Sequence, residues 1–65
     1  MNEDATIKIF SKIQSVERDI QWIYQEYFNE QVNDDQFSSM INSADKEMEV
    51  YLYIYNLIIQ DARKN

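Results

Sequence analysis

Ile9, Ile13, Val16, Ile20, Ile23 and Tyr27 stand four, three, four, three and four residues apart. Phe37, Ile41, Ala44, Met48, Tyr51, Tyr55 and Ile58 repeat the same alternation. A helix turns about 100° per residue, so each set makes one heptad-like apolar stripe along one helix face. No Gly or Pro occurs anywhere in the chain, which favours long helices over sheets with tight turns. The expected fold is therefore all-α.

The two stripes are separated by a compact helix-start signal, Val32 to Phe37. Asn33 is a good N-cap, because its side-chain oxygen can accept from free N–H groups of the first turn. Gln36, three residues on, can reach back to the cap N–H and complete a capping box. Val32 and Phe37 occupy the two places of a hydrophobic staple. Asp34 and Asp35 face the positive end of the helix dipole. The first helix is expected over about residues 4–30 and the second over about 34–62. Glu3 and Asp4 suit the start of the first, and Arg63 and Lys64 the end of the second. Two long amphipathic helices with a short link form an antiparallel two-helix hairpin, one domain spanning residues 1–65.

Two other arrangements compete. The stripes are in phase, so steps of three and four from Tyr27 reach Glu30, Asp34 and then Phe37. One unbroken helix would follow, but it puts two carboxylates in the apolar seam, where burial without partners is costly. The run Val50 to Ile59 is also rich in residues that favour strands. A lone strand would have no partner, and the helical stripe leads into the run without a turn signal.

Sixty-five residues bury only a small core, and a chain of this size is marginal alone. Two helices bury one stripe each, yet this chain carries more apolar residues than two stripes hold. Phe10, Tyr24 and Phe28 are expected to widen the first stripe. Val50, Tyr53 and Leu57 fall on the far side of the second. Ile7 and Phe10 are expected to meet Tyr53 and Leu57 at the open end of the hairpin. Trp22 lies roughly opposite its stripe: either it is covered by its own helix or a further element, or it anchors a partner, as Trp often does. The partner surface is therefore expected at Trp22, Val50, Tyr53, Leu57, Ile7 and Phe10. The partner is another protein, a second copy of the chain in a dimeric four-helix bundle, or both.

Charge adds a second candidate surface. The net charge is −6, and between Arg18 and Lys46 there is no base. That interval holds Asp19, Glu26, Glu30, Asp34, Asp35 and Asp45. The hairpin gathers Glu26, Glu30, Asp34 and Asp35 at its turn. An acidic middle disfavours direct nucleic-acid binding; it suits a basic protein partner or mimicry of a nucleic acid.

With no His and no Cys, the ordinary general base, the thiol nucleophile and most transition-metal ligands are missing. Asn33, Asp34 and Asp35 lack the spacing and the Gly of a calcium loop. No Gly-rich phosphate loop exists. Catalysis, a cofactor and a metal site are not expected. No stretch is apolar and long enough to span a bilayer, and the acidic Met1–Asp4 start is unlike a secretory signal, so a cytoplasmic location is expected.

In layout the chain resembles the small co-chaperones of type III secretion needle subunits. Gln36-Phe37 stands where that family tends to have Gln-Tyr opening its second helix, and Met48 to Ile59 is similar to its aliphatic-rich close. The resemblance implies a helical hairpin whose apolar face binds a helical-repeat partner chaperone. Residues 33–45 are similar to a segment of the Hha-type nucleoid-associated regulators, as are residues 10–17 to their first helix. That family continues with His-Arg where this chain has Lys46-Glu47, and its Pro-containing, Trp-bearing tail has no counterpart. This second resemblance implies modulation of a DNA-binding protein, with Asp45 as the matching acidic residue. The reading that unites these features is a non-enzymatic binding module. An acidic mimic and a purely structural bundle subunit are the alternatives.

Overall fold

The computed structural model describes the backbone of residues 2–63 and the side chains of residues 4–63. Over that range the chain forms helix α1, Asn2–Phe28, and helix α2, Asp34–Arg63, packed against each other as an antiparallel hairpin. The run from Val50 to Ile59 is helical throughout, and the chain reverses at its midpoint. The expected placements of the Glu3 side chain and of Lys64 lie outside the described residues.

The stripes form the seam. All their residues are buried or half-buried. Val16, at 2% exposure, packs with Ile23 and Ala44, and Ile20, Phe37, Ile41, Met48 and Tyr51 close around them. Three residues expected to broaden the first stripe do not: Phe10 and Tyr24 are exposed and Phe28 is 75% exposed. A two-helix layer has no third wall to cover them. The molecule measures 50 × 15 × 11 Å, and its thin direction is about one helix diameter.

The capping box forms as the spacing predicts. The Gln36 N–H donates to Asn33 Oδ1 at 2.8 Å, and the Asn33 N–H donates to Gln36 Oε1 at 2.9 Å. Phe37 finds aromatic partners across the turn: its ring stacks on Tyr27 at 4.2 Å between centroids and meets Tyr24 edge-on at 5.3 Å.

Helix α1 ends at Phe28, earlier than the expected 30, and the cause is local. The Gln31 N–H donates to the Glu26 carbonyl and the Glu30 N–H to the Tyr27 carbonyl. That pair of bonds is a Schellman motif, which needs a left-handed residue in the Glu30 place. Glu30 has φ 60°. A residue with a β-carbon is strained there by about 1–2 kcal/mol, and the same backbone reversal ends any continuous helix. Glu30→Gly should therefore raise stability by about 0.5–1 kcal/mol, read from the denaturant midpoint. Glu30→Gln removes the charge but keeps the β-carbon, so it should gain less. An equal gain from both would assign the effect to charge.

Candidate functional site

The helices are antiparallel and their stripes face each other. Residues one position before a stripe residue therefore fall on one broad side of the hairpin, in both helices, and residues one position after fall on the other. Trp22 precedes Ile23; Val50, Ile54 and Leu57 precede Tyr51, Tyr55 and Ile58. These four share one side. The local geometry agrees: Asp19 and Trp22 of α1 line a shallow groove with Met40, Ser43 and Glu47 of α2. Ser43 and Glu47 also line the next hollow, with Val50. The small Ser39, Ser43 and Ala44 leave a recess beside the indole.

Phe10, Tyr24, Phe28 and Leu52 follow stripe residues and lie on the opposite side. The expected meeting of Ile7 and Phe10 with Tyr53 and Leu57 needs correction. Phe10 and Leu57 are on opposite sides, while Ile7 and Tyr53 point outward from the hairpin edges. All four are exposed, Ile7 and Tyr53 most of all at 66% and 65%. Ile54 and Met40 belong to the Trp22 side, and the single-stripe reading missed them. The signal was present in the same spacing, displaced by one residue.

The acidic candidates occupy the closed end of the hairpin. Glu26 is half-buried near the end of α1; Glu30, Asp34 and Asp35 are exposed. They are not equivalent. The Tyr27 hydroxyl donates to Asp34 Oδ1 at 2.7 Å, tying the end of α1 to the start of α2. Asp34 is thus partly engaged within the chain. Among the described residues no cluster of three His, Cys, Asp or Glu side chains is placed to hold a metal ion, and no helix is long and apolar enough to cross a membrane.

Comparison with protein-family models, with characterised proteins and with solved structures finds no match. The surface itself must carry any functional argument.

The Tyr27–Asp34 bond gives the turn a pH dependence. The hydrogen bond to Asp34, then the charge of that carboxylate, then slight desolvation raise the Tyr27 phenol above its ordinary value of 10.0. A folded-state pKa above the unfolded one means stability that is fully present below pH 10.0 and lost as pH climbs through the raised value. Urea midpoints measured upward from neutral pH should fall in that alkaline window. Tyr27→Phe keeps the ring stack and should lessen the fall. An identical fall in that variant would place the sensitivity in the other tyrosines.

Proposed function

We propose that this chain is a non-enzymatic protein-binding module, a co-chaperone, adaptor or inhibitor, that acts through the apolar surface of its hairpin. The supporting observation is the second half of α2. There Val50, Leu52, Tyr53, Ile54 and Leu57 are all exposed, on every side that does not face α1. Contiguous apolar surface on a small soluble domain usually marks a contact with another macromolecule. The resemblance to needle-subunit co-chaperones adds a class of partner, a helical-repeat protein with a groove for an amphipathic hairpin.

The test is a pull-down from the native source with the wild-type chain and with Tyr53→Ser/Leu57→Ser, followed by identification of what is captured. The double variant should lose the partner and keep its far-UV circular dichroism, since neither residue belongs to the seam. Capture unchanged by the variant would defeat this reading. A second reading, an acidic mimic that blocks a nucleic-acid-binding protein, is favoured by the base-free interval around the turn. It expects capture to weaken steeply with salt and to depend on Glu26, Glu30, Asp34 and Asp35 instead.

A further inference from the structure

We infer that the Trp22 side of the hairpin binds a second copy of this chain, laid antiparallel, so that the two acidic turns lie at opposite ends of a four-helix bundle. The inference rests on the reading above, that the apolar surface binds protein, and names its first occupant.

Size comes first. The chain exposes 5404 Å², whereas a globular monomer of 7.9 kDa exposes about 4,400 Å². Its radius of gyration is 15.0 Å, against about 11 Å for a compact chain of this length. The surplus, about 1,000 Å², is close to the roughly 800 Å² that each partner contributes to a standard interface. The broad side of the molecule, 50 by 15 Å, offers about that area in projection. One further layer of the same shape would turn a single sheet of helices into a bundle with two walls.

Charge then selects the side and the direction. On the Phe10 side, the charged residues one position after the stripes are Glu17, Asp45 and Glu49, with no base among them. Two copies joined there would bring like charges together. On the Trp22 side both signs occur: Lys8 and Lys12 lie toward the open end of α1, Asp19 and Glu26 toward the turn, and Glu47 of α2 near the middle. The α1 part of that pattern, basic toward one end and acidic toward the other, complements itself only when reversed. In an antiparallel pair with α1 against α1, Asp19 of each copy comes opposite Lys12 of the other. Each Trp22 then reaches the Lys8 region, and each Ile54–Leu57 segment lies over the other copy's Met40–Ser43 recess. A two-fold interface must be self-complementary in this sense. A parallel pair would instead stack the two turns, where each chain gathers Glu26, Glu30, Asp34 and Asp35 with no base near them in sequence.

The experiment uses the full chain. It contains no Cys, so Gln31→Cys introduces a single attachment point for a spin label at the turn. Sedimentation equilibrium should give a dimer, and electron–electron distance measurement should place the two labels apart by about the length of the molecule, 50 Å. A parallel pair would bring them within about 20 Å, two helix diameters. Val50→Ser/Leu57→Ser should give a monomer with retained helicity. Lys12→Glu should weaken the dimer about tenfold, and Lys12→Glu/Asp19→Lys should restore it. A dimer with close labels overturns the direction, and a dimer indifferent to the Val50 and Leu57 changes overturns the face. A monomer up to millimolar concentration overturns the inference. In that case, loss of a foreign partner from Tyr53→Ser/Leu57→Ser would still leave the binding reading standing.

Discussion

Ile23→Ala should destabilise the hairpin by about 2–5 kcal/mol and remove most of its cooperative unfolding transition. Ile23 is 5% exposed and packs with Val16 and Ala44 at the centre of the seam. Truncation there loses the burial of three carbons and leaves a gap, because flanking side chains on two long helices cannot collapse into it freely. The total stability available to 65 residues is only about 3–10 kcal/mol, so this single change removes a large share. Phe28→Ala is the matched control. It deletes a larger ring, but one that is mostly in solvent, on the side away from Trp22, and should change stability by less than about 0.5 kcal/mol. Chemical denaturation followed by circular dichroism measures both. Similar losses for the two variants would mean that the seam is not where the helices are held.

The spacing of apolar residues made the seam legible, because one requirement, burial on a rotating helix, governs every stripe position from Ile9 to Ile58. The capping box was legible for a similar reason: Asn33 and Gln36 act within one turn, and the local chain alone decides their bonds. What escaped were contacts decided by three-dimensional closure. Tyr27 and Asp34 are seven residues apart, and nothing in that separation announces a bond until the turn has formed. The end of α1 escaped for a different reason. A Schellman motif is usually read from a Gly, and here Glu30 holds the left-handed position despite its β-carbon. The candidate surface was half legible. Trp22, Val50 and Leu57 stood out as surplus apolar residues, yet their common side appears only when the two antiparallel stripes are set facing each other. That operation separates Phe10 from Leu57 and adds Ile54 and Met40.

Ala44 offers the second large effect, and it tests why the helices approach as they do. Every other residue of its stripe is bulky: Phe37, Ile41, Met48, Tyr51, Tyr55 and Ile58. Ala44 is nevertheless the one buried residue of α2 among those described, packed with Val16 and Ile23. A small side chain buried between large ones marks the place where two helix surfaces come closest, since interaxial distance follows the side chains at the contact. Ala44→Leu should then cost about 1–3 kcal/mol by overpacking, although it raises hydrophobicity and hardly alters helix propensity. Ala44→Gly should cost about 1 kcal/mol for the opposite reason, lost propensity in a helix interior. Loss in both directions from Ala is the signature of a site where size, not polarity, sets the optimum. If Ala44→Leu instead raised the denaturation midpoint, the seam would have spare room at its centre. The hairpin would then be held chiefly by Tyr27, Phe37 and the turn, with α1 and α2 free to part along most of their length.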